Sequence, residues 1–397
     1  MIADRVNSSM KIEPDLLIIG ASTRAAAFSA IRAGFSPLCA DLFGDADLAA
    51  RCPVLPVPAG GYEELVARLT GESNSLPWMY TGGLENRPGL VGALARKMPL
   101  WGNDASVLGR CRDPFFVADL LRAAGLPHPA VIRPEVEPPP GRWLLKPISG
   151  AGGGEIRFWE PGTTSHRPAC AQEYVEGESR AAIFVGDGKR SRLLGVTRQL
   201  VGESWLHARP FRYCGSIGPV EPNPLLDRVG DVLVEGCGLR GLFGVDFIER
   251  DGVPWPVEVN PRYTASVEVL EYATGLRAIS LHQAAALAGR ALLPVRWTPD
   301  GQECPSCKEG VLLVGKAILF APVDLAFPDN ALWLADTAVD RMPGFADVPP
   351  SGQPIRRGQP VMSLFTSGDS VDACCQELHR IASDLDRQLF PGYKEDN

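Results

Sequence analysis

The chain has no apolar run long enough to span a membrane, and its first residues, Met1-Ile2-Ala3-Asp4-Arg5, have no signal-peptide core. A cytoplasmic protein with no membrane partner is the expectation. Positive charge does not dominate either. Lys and Arg total 39 against 47 Asp and Glu, a net charge of −8, so a nucleic-acid backbone or an anionic lipid surface would be repelled. No nucleic-acid partner is expected. The ten cysteines are scattered, and Cys304-Pro305-Ser306-Cys307 is a single Cys-x-x-Cys with no second pair at zinc-site spacing. His282 and His379 are too distant in sequence to complete a motif. A reduced, structurally idle pair is expected there in preference to zinc. No low-complexity tract or internal repeat occurs.

What is present is an ordinary globular composition, 45% apolar and 22% charged over 397 residues, enough for two or three domains with real cores. Asp15–Gly20 reads as a buried strand closing on glycine, followed by a helix over Ala21–Ala33 and a second strand ending at Asp41. That is the outline of a dinucleotide-binding unit. However, Gly20-Ala21-Ser22-Thr23-Arg24-Ala25 lacks the second glycine that lets a pyrophosphate approach, so dinucleotide binding is not expected. A later strand at Leu76–Thr81 places Thr81, Glu85 and Asn86 at its carboxyl end, where open α/β sheets bind ligands. Asn86 serves equally well as a plain helix cap. Asp113–Ala124 reads as an amphipathic helix, Pro134–Pro140 as a stiff connector, and Leu225–Gly238 as a second helix. The last hundred residues read as a separate β-rich appendage closed by a helix over Val371–Leu389.

Three segments carry chemistry. In Leu144–Trp159 an apolar strand ends at Lys146, a glycine-dense loop with Gly150, Gly152, Gly153 and Gly154 follows, and a strand returns. Glycines allow backbone N–H groups to close on phosphate oxygens. The loop has no Gly-Lys-Ser/Thr ending and no following helix, so it reads as a flap and not a P-loop. By itself it would be an ordinary glycine-rich hairpin. The second segment is Cys170–Ser179, a strand running into an acidic turn that could offer backbone to a base edge and a carboxylate to ribose, or could simply be solvated. The third is Gly244–Ile248 followed by Pro256–Arg262, with Asp246 on one strand and Glu258 and Asn260 on the next. Three oxygen donors on neighbouring strands suit Mg²⁺ (or Mn²⁺) sharing its other positions with phosphate.

In order and spacing, these segments resemble the ATP-grasp superfamily from about Arg112 to Arg262. The resemblance implies a nucleotide between two α+β subdomains, with Lys146 on the phosphates and the glycine flap over them. Backbone at Glu173, Tyr174 and Val175 would read adenine, and Glu178 (or Glu176) would take the ribose. Asp246, Glu258 and Asn260 would hold one or two Mg²⁺ ions, and Arg262 would hold the substrate carboxylate or the migrating phosphoryl group. Where the family often has a second lysine, this chain offers Arg110 and Arg112, and Arg112 is assigned to the phosphates because arginine grips them bidentately. The expected architecture is an α/β and α+β chain. A Rossmann-like domain at 1–104 precedes an ATP-grasp domain at 105–300, whose flap subdomain covers about 126–177, and a β-rich domain occupies 301–397.

The implied activity is an ADP-forming, carbon–nitrogen ligase that activates a small carboxylate as an acyl phosphate and couples it to an amine. Expected partners are small-molecule carboxylate and amine substrates and a second copy of the chain as a homodimer. A bicarbonate-activating carboxylase of the biotin carboxylase type and a non-catalytic ATP-binding module are the alternatives. The Glu258–Thr264 segment is also similar to ATP-grasp ligases of one-carbon cofactor biosynthesis, one family of which joins glutamate to tyramine. Arg209, Arg212 and Tyr213 would suit an acidic substrate, or would be salt-bridged surface residues. The acid hairpin carries one geometric condition. Glu258 and Asn260 share a strand face, but an unbulged two-residue turn at Asp251-Gly252 would pair Asp246 with Val257 and point it away. The site therefore requires a three- or five-residue loop, or a bulge.

Overall fold

The computed structural model describes residues 13–71, 75–150, 152–162, 165–287, 312–334 and 337–393. Cys304 and Cys307 lie outside them. Three larger sheets and one two-stranded sheet, Leu325–Ala326 with Pro354–Ile355, organise the described chain. The first is parallel, with Leu16–Gly20 at its centre between Pro37–Asp41 and Trp78–Tyr80, and Val54–Pro56 at the edge. Leu16 to Ile19 are fully buried because helices and loops cover both faces, which is why the strand reads as a continuous apolar run. The helix Arg24–Arg32 follows directly.

The second sheet is small and antiparallel: Val131–Ile132, Ala169–Glu173, Trp143–Pro147 and Arg157–Phe158. It carries the glycine loop. The helix Pro114–Ala123 leads into it, and its start is fixed by sequence. Asp113 accepts N–H bonds from Phe115 and Phe116, while Pro114 occupies the first turn, where its missing N–H does no harm.

The third sheet has eight antiparallel strands in the order Val253–Asn260, Arg240–Arg250, Glu178–Asp187, Ser191–Val201, Tyr213–Val220, Leu313–Phe320, Pro360–Gly368 and Phe345–Ala346. The β-rich C-terminal part, expected as a separate appendage, is therefore joined edge to edge with the central strands through the pairing of Gly215–Gly218 with Val314–Ala317. On one face Phe243, Val245 and Phe247 pack against Leu226, Val229 and Leu233 of the helix Leu225–Cys237. Strand alternation sends Leu242 and Asp246 to the opposite face, where Leu242 packs among Val267, Leu270 and Ile279.

A buried ion network ties these parts together. Arg24, from the first helix, grips Glu268 of the helix Ala265–Thr274 with both terminal nitrogens and donates to Asp347 at 2.9 Å. Lys316, on a C-terminal strand, donates to the same Glu268 at 2.8 Å. Charges this deep persist only when paired, and removing one partner costs roughly 3–5 kcal/mol. The network thus fixes how the parallel sheet, the central sheet and the C-terminal strands sit together.

Candidate functional site

The acid hairpin meets its geometric condition through a bulge. Arg250 pairs with Val253 across the two-residue turn Asp251-Gly252, so the turn alone would send Asp246 to the wrong face. Between Phe247, opposite Pro256, and Asp246, opposite Glu258, Val257 is the extra residue, and it resets the register. Asp246 therefore stands directly across from Glu258, and Gly244 across from Asn260. The bulge also turns the Val257 carbonyl toward the small sheet, where it accepts from Lys146 Nζ at 3.1 Å and from Gln172 Nε2 at 3.3 Å. Lys146 also donates to Gln172 Oε1 at 2.9 Å.

Two carboxylates facing each other across a ladder repel. Burial and the charge of Glu258 push the Asp246 carboxyl up to about 7, against the pull of Arg262 and of its two amide donors. Those donors are Gln199 Nε2 on Oδ1 and Asn260 Nδ2 on Oδ2, each at 3.0 Å. Glu258 goes the other way. Although burial opposes ionisation, Arg112 and Lys146 hold its carboxyl below the usual range. Arg112 Nη1 donates to Glu258 at 2.5 Å, and its Nη2 reaches the Gly150 carbonyl at 2.9 Å and the Asn86 side chain at 3.1 Å. Arg262 bonds Glu85 through Nε at 2.7 Å and Asn260 Oδ1 through Nη2 at 3.3 Å.

Among the described residues, no group of three or more His, Cys, Asp or Glu side chains is arranged to hold a metal. The set here is two carboxylates and one amide oxygen. Their chemistry fits a hard cation that takes its other ligands from phosphate. Each of the three residues already accepts or donates a hydrogen bond, so such an ion would compete with Arg112 for Glu258 and with Arg262 for Asn260.

A cleft of roughly 850 Å³, counting its open mouth, lies between the small sheet, the hairpin and the helix Pro114–Ala123. Arg112, Lys146, Gln172 and Glu258 form its polar side, and Val117, Leu121 and Ile148 part of its apolar wall. Gly150, Gly153 and Gly154 border it, whereas Gly152 does not. Gly153 packs so closely on the Phe211 carbonyl that a Cβ would lie 1.9 Å from that oxygen. Gly152 accepts at its carbonyl from the Tyr213 N–H at 3.1 Å.

The structure brings Lys146, Arg112, Asp246, Glu258, Asn260 and Arg262 into one polar cluster with the flap glycines. It does not bring Glu173, Tyr174, Val175 or Glu178 of the acidic connector into it. The Glu173 and Tyr174 N–H groups are already bonded to the carbonyls of Ala130 and Arg142, and neither residue nor Val175 borders the cleft. Glu178 pairs with Glu249, on the sheet face opposite Asp246, and is held by Arg180 and Arg198. Its expected ribose role has no geometric support.

Two amides, Gln172 and Gln199, were not singled out by sequence. Gln172 sits two residues before Tyr174 in the acidic connector and Gln199 opposite Ser179, and only strand pairing reveals either. Of the three candidates at the end of the parallel sheet, Glu85 and Asn86 join the cluster through Arg262 and Arg112. Thr81 turns back to the Ser22 carbonyl at 2.9 Å.

The dinucleotide outline is also resolved. Asp41 is buried, and its oxygens accept from Thr23 N–H and Oγ1 and from the Phe43 and Gly44 N–H groups, leaving no oxygen directed at a ribose. At Gly20 a Cβ would lie 1.8 Å from Thr81 Oγ1, so this glycine serves strand packing.

Comparison with known proteins gives consistent results. A family model described as an ATP-grasp domain matches residues 111–266. An uncharacterized protein of Methanocaldococcus jannaschii is 29% identical over 145 residues, 32% of this chain, and the match spans only 32% of that relative's length. The crystal structure of an L-amino acid ligase from Bacillus licheniformis superposes with a TM-score of 0.61 at 16% identity, covering 94% of this chain and 98% of that one. That of N5-carboxyaminoimidazole synthetase from Staphylococcus aureus, complexed with ADP, gives 0.66 at 13% identity, covering 95% and 99%. Sequence match and fold agree: residues 111–266 match the ATP-grasp domain model, and the chain has the ATP-grasp fold of these structures.

Proposed function

We propose that this protein is an ATP-dependent ligase that joins a small carboxylate to an amine. The observation that carries the reading is the bulge at Val257. It sets Asp246 opposite Glu258 and, in the same stroke, presents a carbonyl to Lys146 from the facing sheet. A hairpin built only for stability would not set two carboxylates against each other with a lysine and two arginines around them.

In this reading the triphosphate of ATP lies along the polar side of the cleft, with Lys146 and Arg112 on its oxygens and the flap closing over it. Mg²⁺ or Mn²⁺ held by Asp246, Glu258 and Asn260 would supply neutralisation of phosphate charge. The substrate carboxylate attacks the γ-phosphorus, the bond to the β-phosphate oxygen breaks, and ADP leaves. A neutral amine then adds to the acyl carbon, and the C–O bond breaks with release of phosphate and a proton. Arg262 orients the carboxylate for the first step, and its grip on Glu85 fixes the guanidinium plane. The flap excludes water that would otherwise hydrolyse the acyl phosphate.

The test is ADP release from Mg·ATP across pools of amino acids, amines and bicarbonate, with Asp246→Asn and Glu258→Gln as controls. ADP formation that needs both a carboxylate and an amine, and is lost in both variants, supports the ligase. ADP formation with bicarbonate alone would replace it with a carboxylase. Binding of Mg·ATP without turnover in any pool would leave a nucleotide-binding module.

A further inference from the structure

The segment between the strands Ser191–Val201 and Tyr213–Val220 carries Arg209 and Arg212, and among the described residues neither pairs with an acid. Several interior cations elsewhere do: Arg24, Arg32, Arg112, Arg262 and Lys316 each face a carboxylate. Arg212, by contrast, donates through Nη1 to the Gly358 carbonyl at 2.5 Å and lies 4.1 Å over the Phe320 ring. Arg209 converges on the same residue, since a Cβ on Gly358 would lie 3.4 Å from its Nη2. Burial and the charge of Arg209 together lower the Arg212 pKa. Arg356 and Arg357 belong to the same turn as Gly358, whose start and end are joined by the Gln359 N–H to the Arg356 carbonyl. This is a local excess of positive charge on a chain whose net charge is −8.

The pair also sits against the flap. Phe211, between the two arginines and at φ 63, is the residue whose carbonyl touches Gly153, and Tyr213 bonds Gly152. Two like charges converging on Gly358, the exposed Arg209 and the half-buried Arg212, repel each other, and an anion between them would relieve that repulsion. Guanidinium groups suit carboxylate and phosphate oxygens alike, through paired N–H donors.

We propose that Arg209 and Arg212 form an anion-binding site behind the flap, which holds a second carboxylate or a phosphate on the substrate, remote from the group being activated. The inference rests on the ligase reading for what the anion belongs to. It narrows the substrate to a molecule with at least two anionic groups.

Calorimetry on the full chain tests it with citrate and, separately, inorganic pyrophosphate, both in saturating Mg·ADP so that the nucleotide cleft is occupied. One of the two is expected to bind wild-type protein. Arg209→Ala should weaken that binding roughly tenfold or more, the loss of one charge-assisted contact, while leaving Mg·ADP affinity unchanged. Arg209→Lys should recover part of it. Citrate alone binding assigns a carboxylate, pyrophosphate alone a phosphate. If neither binds wild-type protein, or Arg209→Ala binds as wild type does, the site is refuted. Failure of Mg·ADP itself to bind would sink the nucleotide reading instead, and the same titrations without nucleotide would still decide the arginine pair.

Discussion

Arg112 joins the acid hairpin to the flap: one terminal nitrogen donates to Glu258 at 2.5 Å and the other to the Gly150 carbonyl at 2.9 Å. A single side chain therefore occupies the carboxylate that a cation would need and holds the loop that would close over a nucleotide.

Arg112→Ala should consequently bind Mn²⁺ more tightly than wild type in the absence of nucleotide. The gain should be at least about tenfold, since at an effective dielectric of about 20 one charge about 5 Å away repels a divalent cation by several kcal/mol. The same variant should lose roughly 1–3 kcal/mol of stability as Glu258 and Gly150 lose a charged donor. Manganese titration followed by electron spin resonance reads the first effect and urea unfolding the second. Unchanged or weaker Mn²⁺ binding would remove Arg112 from competition for Glu258.

The raised carboxyl of Asp246 makes stability depend on pH in a definite direction. Its pKa rises from 3.8 to about 7 on folding. Between those values the folded chain holds a proton that the unfolded chain has released, so this contribution is full below 3.8 and is lost as pH rises through about 7. Asp246→Asn removes the titration. Measured without divalent cations, the variant should gain stability relative to wild type between pH 5 and pH 8 on the scale of the titration just described. A difference that stays flat over that range would show that Glu258 and burial do not act on Asp246 as the geometry implies.

Gly153→Ala should release the flap, because a Cβ cannot share space with the Phe211 carbonyl 1.9 Å away and the residue sits at φ 74. Gly154→Ala is the control, since its Cβ would meet nothing within 4 Å. Limited proteolysis between residues 148 and 156 should accelerate in the first variant only. Equal cleavage of both would mean that the Phe211 segment does not hold the loop.

Gly20→Ala should cost about 1–3 kcal/mol through overpacking against Thr81, and Thr81→Ala in the same chain should recover part of it. Denaturant unfolding of the single and double variants measures the coupling. Additive losses would mean that the strand relaxes away from Thr81. NADH fluorescence should report no binding in any of these proteins.

Local sequence alone determined much of the scaffold. The apolar run Leu16–Ile19, the capped helix at Asp113-Pro114 and the terminal helix Val371–Leu389 follow from periodicity and capping chemistry, which act within a few residues. The order of lysine loop, connector and acid hairpin was legible for the same reason, and so was the need for a bulge, because parity along a strand is a counting argument. Tertiary structure decided the rest. Where the extra residue falls, at Val257, depends on which carbonyl the facing sheet can use. Gln172 and Gln199 enter the cluster only because strands distant in sequence lie side by side, and Glu178 leaves it because register puts it on the other face. The C-terminal strands join the central sheet because Tyr213–Val220 offers an open edge, and no local pattern records which edge that will be. Charge pairing is the clearest case. The sequence shows arginines and acids in comparable number, but only packing assigns Arg24, Arg112 and Arg262 their carboxylates and leaves Arg209 and Arg212 without one, because Coulomb attraction acts on distance in space and not on distance along the chain.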